Sequence, residues 1–91
     1  MEVEKSLMSS DIAFAPIRKQ RLSDELVRQI HESIETGRFR EGDRLPPIAE
    51  MARLFHVGLA TVREALTKLE VMHVVEIRHG AGVFVSVSGR R

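Results

Sequence analysis

Two groups of side chains have types and spacing that suit contact with phosphates or base edges. Arg18, Lys19 and Arg21 form a short basic cluster just before the first strongly periodic segment. Residues 56–66, HVGLATVREAL, have the spacing of a helix that follows a tight turn and can lie in a DNA groove. The net charge is only +1, so any attraction to a polyanion depends on where the cations lie.

The sequence does not indicate a metal site, a disulfide or a catalytic site. His31, His56 and His73 lack the spacing of metal ligands, and the chain contains no cysteine that could form a thiolate site or a disulfide. No Ser, Asp and His set has useful spacing, no glycine-rich phosphate loop follows a strand, and no pair of carboxylates marks a cleft. We therefore expect no enzyme activity, no cofactor and no metal.

Length and composition indicate one small domain. The chain has 91 residues, of which 43% are hydrophobic and 30% charged. Its longest uncharged apolar run, residues 12–17, is far shorter than the roughly 20 residues that a membrane span needs. The acidic start at Glu2 and Glu4 is unlike a secretory signal. We expect a cytoplasmic protein without a membrane segment.

A first helix is predicted directly after the basic cluster. Its apolar stripe recurs every four residues, at Leu22, Leu26, Ile30 and Ile34. Residues 23–25, Ser-Asp-Glu, suit the capping and acidic positions of its first turn, and Gly37 suits its end. Residues 1–17 have no sustained period, so we expect them to form a flexible N-terminal arm.

Two further helices are predicted, joined by a tight turn. Pro46 and Pro47 suit the start of the second helix. Its apolar face comprises Ile48, Met51, Ala52 and Phe55. Residues 56–58 interrupt the pattern, which resumes in the third helix at Val62, Ala65, Leu66 and Leu69. Two short helices joined in this way indicate a helix-turn-helix.

A β-hairpin is predicted after the third helix. Residues 74–78, VVEIR, and 83–87, VFVSV, are rich in β-branched side chains and flank the glycine-containing connection HGAG. The fold class is therefore mainly α with a small hairpin: a winged helix-turn-helix of three helices and a two-stranded wing, over residues 18–87. Residues 88–91 are expected to begin a linker to a C-terminal domain that this sequence lacks.

The order of these motifs resembles a known family. The run LPPIAEMARLFHVGLATVREALTKLEVMHVVEIRHGAGVFV resembles the winged-helix DNA-binding domain of the GntR family of bacterial transcription regulators. The preceding PIRKQRLSDELVRQIHESIETGRFREGDRL resembles the first helix of its FadR-like branch. The resemblance implies that double-stranded DNA is the partner, with the third helix in the major groove and the wing at the minor groove. It also implies a homodimer in the full-length protein, and a small-molecule effector that binds only through the absent C-terminal domain.

The resemblance also implies a set of DNA contacts. It comprises Thr61 and Arg63 with Leu59 and Ala60 on the third helix, His79, Gly80 and Arg78 on the wing, and Arg18, Lys19 and Arg21 near the phosphate backbone. Family members usually carry arginine where this sequence has Leu59 and Ala49, and serine or threonine where it has Gly58. They also commonly carry glycine where this sequence has His56 and His73.

These departures have physical consequences. A bidentate arginine–guanine contact is worth about 1–3 kcal/mol of discrimination, whereas leucine offers only apolar contact with a thymine methyl. We therefore expect weak or altered base readout. The alternative is a degenerate winged helix that acts as a protein-interaction or dimerisation module through one apolar patch, formed by Ile48, Ala49, Leu59 and Ala60.

Overall fold

Three helices and a hairpin follow one another along the chain. The computed structural model describes residues 17–87, with side chains from Arg21 onward. Its elements are α1 (Ile17–Glu35), α2 (Ile48–Phe55), α3 (Leu59–Val71), β1 (Val75–Arg78) and β2 (Gly82–Val85). The predicted winged helix-turn-helix is confirmed, while residues 1–16 of the predicted arm and the predicted linker lie outside the described residues. No helix in the described range is long and apolar enough to cross a membrane.

The start of the first helix was predicted wrongly. Helix α1 begins at Ile17, so the basic cluster lies within its first turns rather than before the helix, and no acidic residue occupies its first turn. Residues 23–25 are therefore interior helix positions and not a cap. Arginine, lysine and glutamine are good helix formers, so extending the helix through residues 18–21 costs little.

The inner face of α1 also differs from the predicted stripe. Leu22 is 43% exposed, whereas Ser23 is fully buried. A helix turns about 100° per residue, which places Ser23 only about 20° from Ile30 around the axis and Leu22 about 80° away. The buried Ser23 hydroxyl accepts a hydrogen bond of 2.9 Å from Lys68 Nζ of α3. A polar contact of Ser23 therefore joins the two helices, where the pattern predicted an apolar contact of Leu22.

The core lies between α1, the inner face of α3 and the sheet. The four predicted apolar positions of α3 are almost completely buried, which confirms them. The buried hydrophobic cluster comprises Leu26, Ile30, Leu45, Met51, Val62, Ala65, Leu66, Leu69, Val75, Val83 and Val85. Because this face of α3 is held by the core, its opposite face is free to meet a partner.

Each helix ends in the same backbone arrangement, with one left-handed residue just after the last turn. That residue is Gly37 after α1, His56 after α2 and His73 after α3, with φ values of 86°, 58° and 63°. After α3, the amide of Val74 donates a hydrogen bond to the carbonyl of Leu69 over 2.9 Å. The amide of His73 donates to the carbonyl of Glu70, also over 2.9 Å. The prediction that Gly37 ends the first helix is confirmed, and two histidines adopt a conformation that favours glycine.

Replacing His73 with glycine is expected to stabilise the domain. A left-handed side-chain residue costs about 1 kcal/mol, part of which is offset by the greater freedom of glycine in the unfolded chain. We expect a net gain of about 0.5 kcal/mol, and thus a rise of a few degrees in the thermal midpoint, measured by circular dichroism. Met72→Gly is the matched control, because Met72 has an ordinary helical φ of −79° and glycine should lower the midpoint there. A thermal midpoint that did not rise in His73→Gly would contradict backbone strain at His73.

The wing is a two-stranded antiparallel sheet with a third chain segment at its edge. Val75 pairs with Val85, and Arg78 pairs with Gly82. Arg44, in the loop between α1 and α2, forms a bridge with Phe84 of β2, and the amide of Leu45 donates to the carbonyl of Val83 over 2.8 Å. This loop therefore holds the wing against the start of α2.

Candidate nucleic-acid interface

The outward face of α3 has a definite composition. Its exposed residues are Leu59, Ala60, Arg63 and Thr67, followed by Glu70 and Val71 in the last turn. The first four begin at the turn that precedes the helix. These positions recur at intervals of three and four residues, so they form one stripe along the helix, here called the α3 outer stripe. Thr67 was not predicted as a site residue, although completing the helical pattern from Ala60 and Arg63 would have included it.

Thr61 does not belong to this stripe, and its predicted DNA contact is corrected. Its side chain is only 5% exposed. Thr61 precedes Ala65 and Leu69 at four-residue intervals, which places it on the core side of the helix. A buried hydroxyl presents no surface to a base, so Thr61 contributes to packing and is left out of the proposed interface.

Arg63 provides the positive charge of the outer stripe. Its guanidinium is exposed and makes no ion pair or hydrogen bond within residues 17–87. The other cation of α3, Lys68, is 2.7 Å from Asp24 of α1 and 3.8 Å from Glu64, so its charge is already compensated. A buried or paired cation is a poor anchor for phosphate, whereas Arg63 is available.

The wing tip brings the three predicted wing residues together. His79 and Gly80 are exposed in the turn between β1 and β2, where Gly80 has a φ of 79° and the amide of Ala81 donates to the carbonyl of Arg78 over 3.0 Å. Arg78 already makes two contacts on the sheet. Its Nη2 lies 3.3 Å from Glu76 Oε1, and its guanidinium carbon lies 4.6 Å from the centre of the Phe84 ring. It is thus held in place on the outer side of the sheet.

The basic cluster on α1 is only partly described. Arg21 is exposed on the helix and has no ion pair within the described residues, whereas the side chains of Arg18 and Lys19 lie outside them. Farther along α1, Arg28 is held by Glu25 at 2.6 Å and Glu32 at 3.1 Å. Its hydrogen bonds lower the pKa of Glu25 to about 2. This outer face of α1 therefore carries compensated charge.

A second basic residue near the wing was not predicted from the sequence. Arg44 lines a shallow cleft of about 380 Å³ with Arg78, His79 and Gly80 of the wing and Pro47 at the start of α2. Nothing in the spacing of a loop arginine reveals that the loop will pair with β2. Only the tertiary structure brings Arg44 beside the wing.

The apolar patch of the alternative interpretation is smaller than expected. Leu59 is 44% exposed, and Ala49 and Ala60 are exposed, but Ile48 is half-buried and packs against the core. The remaining patch is one leucine and two methyl groups, and a single exposed leucine is ordinary on a protein surface.

Comparison with known sequences decides the family. The sequence profile described as "Bacterial regulatory proteins, gntR family" matches residues 22–85. The chain belongs to the gntR family. Its winged helix-turn-helix is the family's DNA-binding domain, which confirms the resemblance seen in the helix-turn-helix and wing motifs.

Individual relatives agree with this assignment. The Uxu operon transcriptional regulator of Escherichia coli K12 is 41% identical over 66 residues, which are 72% of this chain and 26% of that protein. The transcriptional repressor NanR of Klebsiella aerogenes is 35% identical over 71 residues, 78% of this chain and 27% of that protein. The chain thus spans about a quarter of the length of these relatives, which are transcriptional regulators and, as a class, not enzymes.

Solved structures share the fold. A GntR family transcriptional regulator from Listeria monocytogenes superposes with a TM-score of 0.69 at 27% identity, covering 86% of this chain and 62% of that chain. The DNA-binding domain of AraR, solved in complex with operator ORX1, superposes with a TM-score of 0.70 at 21% identity, covering 88% of this chain and 93% of that chain. At that identity the second likeness supports the fold alone.

Proposed function

We propose that this chain binds specific double-stranded DNA as part of a transcription regulator, with the α3 outer stripe in the major groove and the wing tip at the minor groove. The observation that carries the proposal is the unpaired guanidinium of Arg63 on the exposed face of a helix that follows a tight turn. In this arrangement Arg63 reads a base edge, and Leu59 and Ala60 contact thymine methyl groups. His79 and Gly80 approach the minor groove, and Arg21, with Arg18 and Lys19, binds the phosphate backbone.

The distribution of acidic residues supports this orientation. A groove of about 600 Å³ is lined by Glu41, Glu70 and Glu76, together with His31 and His73. Its carboxylates repel phosphate, so DNA would avoid this surface. The wing cleft carries Arg44 and Arg78 and no carboxylate among its lining residues. Three carboxylates therefore line the groove, whereas the wing cleft is lined by two arginines.

Selection of duplexes from a random-sequence library by the purified chain, followed by anisotropy titrations, tests the proposal. We expect a preferred site and an affinity that falls linearly with salt on a log–log plot. Equal affinity for the selected and scrambled duplexes would contradict sequence-specific binding and leave only electrostatic attraction.

Replacing Leu59 with arginine is expected to tighten DNA binding. Leu59 opens α3 and is exposed, so an arginine there would meet a phosphate or a guanine edge. One added phosphate contact steepens the salt slope by about 0.9, which is worth about fivefold in affinity at about 0.15 M salt. Anisotropy titrations of both proteins on the selected duplex measure the change, with Leu54→Arg on the exposed side of α2 as the control for added charge. An unchanged affinity for Leu59→Arg would favour the protein-interaction alternative.

Homodimerisation and an effector response are proposed for the full-length protein. They are supported by family membership and by relatives about four times as long as the matched segment. A two-fold symmetric dimer would select two related half-sites separated by about one helical turn of DNA, or a multiple of it. Selected duplexes with a single asymmetric site would contradict dimeric binding.

A further inference from the structure

Arg44 is placed on the outer face of the wing by backbone pairing. Arg44 bridges to Phe84 of β2, and paired residues of an antiparallel ladder point to the same side of the sheet. The flanking hydrogen bonds fix this register, because the amide of Val85 donates to the carbonyl of Asp43 over 2.8 Å and the amide of Leu45 donates to the carbonyl of Val83 over 2.8 Å. Arg44 therefore lies in a loop segment whose backbone is hydrogen-bonded to the edge of the sheet.

Gly82 leaves the space that the Arg44 side chain occupies. A β-carbon built on Gly82 would lie 2.7 Å from Arg44 Nε and 3.3 Å from its Nη2, so any side chain at this position would displace the guanidinium. By contrast, a β-carbon on Gly80 or Gly42 would meet nothing within 4 Å. The backbone of Gly82, with a φ of 129°, is also one that only glycine adopts readily.

Two arginines consequently share this side of the wing. Gly82 pairs with Arg78, and Arg78 stacks on Phe84, the residue that pairs with Arg44. The charge of Arg78 is partly compensated by Glu76 at 3.3 Å, whereas the Arg44 guanidinium has no ion pair or hydrogen bond within residues 17–87. Like charges held side by side in one cleft favour an anion between or above them.

We propose that Arg44 binds a DNA phosphate beside the wing and that Gly82 is a positioning residue that admits its guanidinium. The proposal rests on the proposed DNA-binding function, and it adds a contact that the loop sequence does not reveal. Phosphate is favoured over a base because the Arg44 backbone lies opposite Phe84, along the edge of the wing, and not in the exposed tip turn that contains His79 and Gly80.

Arg44→Gln tests the contact. We expect the salt slope to fall by about 0.9, and the affinity to fall about fivefold at about 0.15 M salt, by the same factor on selected and scrambled duplexes. Arg38→Gln is the matched control, because Arg38 is also exposed and unpaired but lies beside Arg28 and Glu32 on the outer side of α1. It should leave the slope unchanged.

Gly82→Ala tests the positioning role. Gly42→Ala controls for backbone strain, since Gly42 has a φ of 86° and open space around it. In the native background Gly82→Ala should weaken DNA binding more than Gly42→Ala does. In the Arg44→Gln background the Gly82→Ala and Gly42→Ala variants should have the same affinity for DNA. Circular dichroism at the assay temperature confirms that each variant is folded.

These experiments distinguish failure of the Arg44 contact from failure of the proposed DNA-binding function. If the native chain bound no duplex, the proposed function would itself fail. If the native chain bound DNA but Arg44→Gln kept the native affinity and slope, the Arg44 contact would be overturned. A loss confined to some sequences would overturn the phosphate assignment in favour of a base contact. An equal loss from Gly82→Ala in both backgrounds would show that glycine acts through the wing backbone and not through Arg44.

Discussion

Replacing Arg63 with glutamine is expected to abolish most of the sequence preference. Arg63 is the unpaired cation of the α3 outer stripe, so the variant loses the side chain best placed to bond a guanine edge. The loss on the selected duplex should be about 5- to 150-fold, the equivalent of about 1–3 kcal/mol for a bidentate base contact. On a scrambled duplex the loss should be smaller, because only electrostatic attraction remains there.

Two controls make the Arg63 result specific. Arg38→Gln removes the same charge from the turn after α1, near Arg28 and Glu32, and should leave both affinities nearly unchanged. Thr61→Val retains the shape of a buried side chain and removes its hydroxyl, and it should retain the sequence preference because Thr61 faces the core. A preference that survived Arg63→Gln but was lost in Thr61→Val would mean that α3 meets DNA with its other face.

Of the substitutions considered for stability, replacing Leu69 with alanine is expected to lower the free energy of unfolding most. Its side chain is fully buried, and its carbonyl accepts the amide of Val74 at the point where α3 turns toward the wing. Truncating a buried leucine costs about 2–5 kcal/mol because it removes apolar contacts and leaves a cavity. In a domain this small, that is a large share of the total free energy of unfolding, and the thermal midpoint should fall by more than about 10 °C.

The matched control for Leu69 is Leu54 on α2. Its side chain is 53% exposed, so Leu54→Ala removes the same atoms from a surface position. We expect a change of less than about 0.5 kcal/mol in the free energy of unfolding, measured by urea denaturation. Comparable losses in the two variants would contradict the assignment of Leu69 to the core.

Elements with strong periodicity and clear breaking residues were predictable from the sequence. The inner face of α3 from Val62 to Leu69 is recognisable because its apolar residues keep helical spacing over two turns. The bounds of α2 follow from Pro47 before it and the polar break at His56 after it. The hairpin follows from β-branched residues on either side of Gly80.

Errors arose where tertiary contacts override local patterns. Ser23 is buried because Lys68 reaches it from another helix, a partner that spacing within α1 does not reveal. Helix α1 starts earlier than predicted because arginine and lysine have high helix propensity, so residues 18–21 can form its first turn. Thr61 was assigned to DNA from the family resemblance, although its spacing with Ala65 and Leu69 indicates the core.

The candidate site was accessible to sequence reasoning only in part. The resemblance selected Arg63 and the wing tip, and Leu59, Ala60 and Arg63 are exposed on α3, but their contact with DNA stays a prediction. Arg44 could not be found, because its position depends on a loop that pairs with β2 and on the missing side chain of Gly82. Contacts that depend on long-range pairing need the fold itself.

An NMR titration of the isotope-labelled chain with its selected duplex tests most directly whether the α3 outer stripe and the wing form the DNA-binding face. The largest amide shift changes should occur at Leu59, Ala60 and Arg63 and at the wing tip, while the part of the acidic groove around Glu41 and Glu70 stays unchanged. Shifts concentrated in that groove, with the first turns of α3 unaffected, would contradict the account.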